Sequence, residues 1–404
     1  MNPLYRIFCR TYQQCFHLAL PVLPYREPVL LTSLETLPPL LQEKSIARVL
    51  LITDRPIRDL GLTAPLEEAL SAHDIACAVF DEVVPNPTVA NVEACCALYR
   101  KSGAQAMIAF GGGSAMDCAK AAGARVARPN KSVQSMGGLL KVQRKTPFLV
   151  TIPTTAGTGS ETTLAAVITD PAEHHKYPIN DFALIPDCAV LDYKVTLGLP
   201  PMITATTGMD ALTHAVEAYI GHSTTALTRS MAEEAVTLIA QYLRRAYEDG
   251  SDAQARAKML RASYCAGVAF TRSYVGYVHG VAHSLGGRYG VPHGLANAVI
   301  LPYFLEEYGA SCHKPLAKLA RKANLATEED SNSTAAEKFI AWVKEMNAAM
   351  GIPTSIPEIR REDIPALAAH AVRESNPLYP VPKLMDRQEL EAMYIKLMPK
   401  EDAQ

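Results

Sequence analysis

No two cysteines of this 404-residue chain stand at the CxxC spacing, and nowhere does the sequence run through the ~18 apolar residues that a spanning helix needs. The nine cysteines are scattered, with Cys95 and Cys96 adjacent. That pattern suits the reduced thiols of a cytoplasmic protein better than a disulfide scaffold. Net charge is only −2, with Lys and Arg spread along the chain, so nucleic acid and an anionic membrane are not expected partners. Internal repeats, low-complexity linkers and the GxGxxG dinucleotide fingerprint are also missing. What is present, 49% hydrophobic residues, suffices for one large or two medium domains with real cores. The expected partners are small molecules.

Residues 1–28 are apolar without forming a signal peptide, because Gln13, Gln14 and His17 interrupt any hydrophobic core and no small-residue cleavage site follows. Leu4, Phe8, Tyr12, Cys15, Phe16, Ala19 and Leu20 recur at helical spacing up to Pro21 and Pro24. This predicts an amphipathic extension whose apolar face covers its own subunit, a dimer partner or a contact in a larger assembly.

From residue 29 to 199 short apolar runs alternate with helical patterns, predicting a parallel sheet covered by helices. Strands are expected at 47–53, 76–80, 104–110 and 147–153, with helices over 66–74 and 88–103 between them. After Pro200-Pro201 the pattern becomes helical throughout, so residues 200–404 are expected to form an all-helical domain.

The stretch "AFGGGSAMDCAK" runs an apolar strand into Gly111, Gly112 and Gly113 and then into a helix starting at Ser114. Bare backbone at a helix N-terminus suits a phosphate. Ser114 and Asp117 also have capping-box spacing, so helix initiation accounts for part of the pattern. The acidic residue closing a strand, Asp54, precedes the glycines instead of following them by ~20 residues, so a nucleotide site here needs a topology other than the usual one. A second loop after a strand, "TIPTTAGTGSE", offers the hydroxyls of Thr154, Thr155, Thr158 and Ser160, and the two loops could share one ligand.

Asp210 and His214 stand four apart on one helix face, and His279 and His283 repeat that relation. Gly286-Gly287 are read as ending the second helix, with His293 following in a Pro-His-Gly loop. One carboxylate with two or three imidazoles forms a mixed N/O set for Fe²⁺ or Zn²⁺. The remaining histidines, His17, His73, His174, His175, His222, His313 and His370, lack such spacing and are read as solvated or structural.

"GGGSAMD", "PTTAGTGSE", "TGMDALTHAVEAY" and "HGVAHSLGG…VPHGLANAVILP" together resemble the iron-containing (group III) alcohol dehydrogenases, from about residue 29 to the end. The resemblance implies an α/β nucleotide-binding domain and an all-α metal domain of the dehydroquinate synthase-like kind, with the active site in the cleft between them. It further implies a homodimer or higher homo-oligomer. It implies Fe²⁺ or Zn²⁺ on Asp210, His214, His279 and His293, with His283 a proton relay near the nicotinamide. Gly112, Gly113, Ser114 and Asp117 would lie at the pyrophosphate of NAD, with Asn86, Thr154, Thr155, Thr158 and Lys176 as further contacts. Asp54 matches the position that receives the adenosine ribose, where a carboxylate repels a 2′-phosphate; Arg55 beside it tempers that preference. The implied reaction interconverts a small primary alcohol and its aldehyde, the metal polarising the oxygen while hydride passes to or from the nicotinamide.

Leu164 and Ala165 stand where the family often has an asparagine, suggesting a more apolar pocket, and Phe270 is a candidate pocket wall as well as a candidate core aromatic. Two other readings stay open: a metal- and NAD-dependent lyase like dehydroquinate synthase, and a non-catalytic subunit of an enzyme assembly.

Overall fold

The computed structural model describes residues 1–170 and 175–399. The chain divides into two compact units, one formed by residues 24–199 and one that joins residues 1–23 to 200–404.

The first unit is built on a six-stranded, wholly parallel sheet in the order β1-β9-β6-β4-β2-β3. Its strands are β1 (Val29–Leu31), β2 (Arg48–Ile52), β3 (Ala76–Phe80), β4 (Ala106–Gly111), β6 (Phe148–Pro153) and β9 (Cys188–Val190). The helices are α2 (Leu37–Glu43), α3 (Arg55–Asp59), α4 (Ala64–Ala72), α5 (Val89–Ser102) and α6 (Gly113–Ala127). Alternate strand residues serve opposite layers, as the two-residue period of a strand requires. Leu50, Ile52, Met107 and Ala109 pack with residues of α5 and α6, while Val49, Leu51, Ile108 and Phe110 pack with residues of α2 and α4. A small second sheet, β5 (Gly138–Leu139), β8 (His175–Asn180) and β7 (Ala165–Asp170), has no counterpart among the strands expected from sequence. His174 lies outside the described residues.

Among the described residues after Pro200 there are helices and no strand. They are α7 (Pro201–Ile220), α8 (Ala226–Glu248), α9 (Ala253–Ser273), α10 (Tyr277–Tyr289), α11 (His293–Tyr308), α12 (Ala310–Lys322), α13 (Asn332–Ala349), α14 (Ile364–Ser375) and α15 (Arg387–Leu397). Small residues such as Ala205, Ala211, Ala215, Ala262, Ala266 and Ala269 let α7 and α9 bury deeply, and α7 is buried on every side from Gly208 to Ile220.

Three local expectations are corrected. Gly286-Gly287 do not end α10, which continues to Tyr289 and stops at Gly290, where a left-handed backbone forms the cap. His293 is not in a loop: it is the first residue of α11, behind Pro292. The Ser114/Asp117 capping box does not form, since Gly112 occupies the N-cap position and makes no side-chain cap bond.

The N-terminal segment is the helix α1 (Pro3–Ala19), and the apolar residues expected to cover one surface divide: Phe16, Ala19 and Leu20 turn inward, Phe16 packing edge-on against Tyr274 at 5.0 Å, while Leu4, Phe8, Tyr12 and Cys15 face outward. Cys9, Gln13 and Leu20 are buried, whereas Leu4, Ile7, Phe8 and Leu18 are exposed. The cause lies in the loop beneath, whose carbonyls need donors. Arg10 donates to the carbonyls of Val381 (2.7 Å) and Pro382 (3.0 Å), and Gln13 donates to that of Tyr379 (2.7 Å).

Candidate metal centre and nucleotide loops

Polar side chains on a helix without a solvent face need partners, and α7 carries Asp210, His214 and Glu217 at i, i+4 and i+7. α10 contributes His279 and α11 contributes His293. One ligand atom from each of Asp210, His214, His279 and His293 falls within a sphere of contact where all lie within 4.8 Å of one another. Asp210 Oδ1 is 3.6 Å from His293 Nε2 and 3.9 Å from His279 Nε2. The His214 ring stacks between Phe270, at 4.1 Å, and His279, at 4.5 Å. Burial raises the carboxyl of Asp210, and burial together with the neighbouring imidazoles holds His279 well below 6.5. Three imidazoles and a carboxyl group aimed at one point are a donor set for a divalent cation of borderline softness, and the residues fit iron or zinc.

Two side chains that the sequence reading passed over hold this set in place. Glu217 accepts hydrogen bonds from the backbone N–H groups of Gly276 (2.8 Å) and Val278 (2.9 Å), and lies 2.6 Å from His279 Nδ1. It caps α10, whose own N-cap residue, Gly276, has no side chain to do so; a Cβ there would stand 2.6 Å from Glu217 Oε1. By accepting the Nδ1–H of His279, the same carboxylate directs Nε2 towards Asp210. Asn297, four residues after His293, donates to Asp210 Oδ1 at 2.7 Å and lies 3.1–3.2 Å from Nε2 of His293 and His279. The signals were present as periodicity, Glu217 at i+3 from His214 and Asn297 at i+4 from His293. Glu217→Ala is expected to weaken metal binding by roughly 10- to 100-fold, the usual effect of removing such a partner. Chelator competition on the folded variant measures it.

His283 is not one of the four converging residues. Its ring lies 5.2 Å from that of His293, its side chain is 40% exposed, and its Nδ1 is 2.5 Å from Glu374 Oε1 of α14. Tyr379 donates to the same carboxylate oxygen at 2.8 Å. Desolvation lowers the imidazole's pKa, but the charge and hydrogen bond of Glu374 outweigh it, and the net shift is upward from 6.5.

In the α/β unit the two loops of interest leave neighbouring strands, β4 and β6, with Gly111 opposite Pro153. The N–H of Thr154 donates to the Gly111 carbonyl at 3.1 Å. A Cβ on Gly112 would lie 3.7 Å from Thr155 Oγ1, and one on Gly113 3.3 Å from Thr158 Cγ2. Asp54 lies two residues beyond the end of β2, the other neighbour of β4, and as the N-cap of α3 accepts from Ile57 N–H. Its Oδ2 is 4.0 Å from a Cβ built on Gly111. Strand order reverses between β2 and β4, so an acidic residue far upstream of the glycines is brought beside them. Arg55 is drawn aside, its Nη1 lying 3.1 Å from Asp81. Asn86, Ser114 and Lys176 also gather: Asn86 N–H donates to Ser114 Oγ at 3.3 Å, and Lys176 Nζ donates to Asn86 Oδ1 at 2.9 Å.

Asp117 ties the second loop down, accepting from Ser160 Oγ (3.1 Å) and Val167 N–H (3.1 Å). Lys120 completes the clasp and was also missed. Its buried ammonium lies 2.6 Å from Ser160 O and 2.7 Å from Thr163 Oγ1, and burial lowers its pKa to about 8 despite Asp117. Ala165 starts β7, and Lys120 also reaches its carbonyl at 3.0 Å.

Comparison with known proteins agrees with this geometry. The family model "Iron-containing alcohol dehydrogenase" matches residues 31–193, and "Fe-containing alcohol dehydrogenase family, C-terminal" matches residues 204–398. Alcohol dehydrogenase 4 of Saccharomyces cerevisiae is 36% identical over 339 residues, covering 83% of this chain and 87% of its own. A solved structure of 1,3-propanediol oxidoreductase matches with a TM-score of 0.89 at 34% identity, over 93% of this chain and 99% of that one. Sulfoacetaldehyde reductase from Bifidobacterium kashiwanohense, solved in complex with NAD+, matches with a TM-score of 0.82 at 28% identity, over 93% of this chain and 98% of that one. The chain belongs to the iron-containing alcohol dehydrogenase family. It is a metal-dependent oxidoreductase that interconverts alcohols and aldehydes. Among the described residues, no helix is long and apolar enough to cross a membrane.

Proposed function

We propose that this chain is an NAD(H)-linked reductase of small aldehydes, and oxidant of the corresponding primary alcohols, with the divalent metal held by Asp210, His214, His279 and His293. The observation that carries the metal assignment is the convergence of those four side chains. When bound, the ion supplies Lewis acidity at the alcohol or carbonyl oxygen, and NAD supplies the redox carrier. The chain supplies the rest. Glu217 and Asn297 orient the ligands. His283, with Nδ1–H directed at Glu374, keeps Nε2 for exchanging the alcohol proton with solvent. Phe270, flat against His214, offers an apolar wall suited to a short carbon chain.

The glycine and threonine loops, with Asn86, Ser114 and Lys176, are assigned to the cofactor, and Asp54 to its adenosine ribose. Asp54→Asn keeps an N-cap for α3 and removes the charge that repels a 2′-phosphate. It is expected to raise kcat/KM for NADPH relative to NADH by roughly 10- to 100-fold, from the lost repulsion. Steady-state kinetics with both cofactors test this. The reading as a whole is tested by NADH oxidation with anaerobically purified protein, metal-free or reloaded with Fe²⁺ or Zn²⁺, over short neutral and charged aldehydes. Turnover that appears only with metal is the expected result, and NADH and metal binding without turnover on any aldehyde rejects the reading.

A further inference from the structure

Exposure on α1 follows the helical repeat. Leu4, Phe8, Thr11, Cys15 and Leu18 are spaced 4-3-4-3, and all five are exposed, Leu4 at 76% and Leu18 at 69%. That spacing is the seam of a two-helix contact. Tyr5 and Tyr12 flank the seam on one side and Ile7 and Gln14 on the other, so neither the seam nor its borders carries a charge. Arg10 is spent on the 381–382 carbonyls, and Arg6 and His17 sit off this face. The family model matches from residue 31, so α1 lies outside the matched segment. An apolar stripe of this size does not normally stand in water.

We infer that α1 is a self-association surface and that its occupant is α1 of a second copy of this chain. An uncharged stripe with uncharged borders is self-complementary under two-fold symmetry, since no like charges meet when it faces itself. Lipid is the poorer match, because interfacial helices pair an apolar face with a strongly basic one, whereas α1 has no lysine and two arginines, of which Arg10 is committed to the 381–382 carbonyls. Two 17-residue helices, each about 26 Å long, bury on the order of 1,000 Å² when packed along one seam, the lower limit of a specific interface. The contact is therefore expected to be reversible with concentration.

Sedimentation velocity on the full-length protein, compared with Phe8→Glu/Leu18→Glu, tests the assignment. The expected result is a halving of the assembly mass in the variant at micromolar concentration, with turnover per chain unchanged. A second readout uses Cys15, the exposed cysteine within the seam. A short bismaleimide is expected to couple two wild-type chains through it, with coupling lost in Cys15→Ser. Unchanged mass in the double variant together with absent coupling overturns the inference. So does binding of wild type but not variant to phosphatidylcholine vesicles, which would assign the face to lipid.

Discussion

His279→Ala is expected to yield a folded protein that no longer retains metal and turns over at least ~10³-fold more slowly, the several kcal/mol that a Lewis acid contributes to the barrier. The size of the effect follows from the position of this imidazole. It stacks on His214, lies within reach of Asp210 and Asn297 through Nε2, and is the imidazole that Glu217 holds. Its removal takes away one of four ligand atoms and also leaves Glu217 with a buried oxygen short of a donor. Elemental analysis after gel filtration and turnover with excess Fe²⁺ measure the two losses separately. Retained stoichiometric metal would show that the ion is held elsewhere.

His283→Ala is expected to behave differently, losing roughly 10²-fold in turnover, as when a general acid–base group is removed, with metal content unchanged. The distinction rests on geometry. His283 borders His293 but lies outside the converging set, with Nδ1 committed to Glu374. Because the Glu374 charge raises its pKa, the imidazole is protonated over a wider pH range than a free one. Aldehyde reduction needs a proton donor, so its rate should be highest below that pKa and fall as pH rises through it. The fall should shift to lower pH in Glu374→Gln and disappear in His283→Ala. Loss of metal from His283→Ala would exchange its role with that of a ligand.

Much of the fold was legible because each element advertises itself locally. The strand over 76–80 matches residue for residue, and the others differ by one or two positions at their ends. The i, i+4 pairs Asp210/His214 and His279/His283 were readable because α7 and α10 are regular helices. Errors arose where a local signal competed with a distant one. The Gly286-Gly287 pair resembles a stop, yet α10 runs through it to a left-handed cap at Gly290. The Ser114/Asp117 spacing resembles a capping box, yet Asp117 is claimed by Ser160 and Val167 from the next loop. The strands β7 and β8 were hidden because a short hairpin depends on its pairing partner more than on its own residues.

By itself, the sequence determined the ligand types, the helical phases that bring them to one face, the two glycine- and hydroxyl-rich turns, and the amphipathic character of α1. Periodicity and turn chemistry are local properties, readable over a few residues. Only the tertiary structure decided that Glu217 and Asn297 reach the converging side chains of Asp210, His279 and His293, that reversal of strand order sets Asp54 beside Gly111, and that α1 turns Leu4, Phe8 and Leu18 outward. Each of those is settled by a group far along the chain: the N–H groups of α10, the C-terminal end of a neighbouring strand, and the 377–382 carbonyls that demand donors from Arg10 and Gln13.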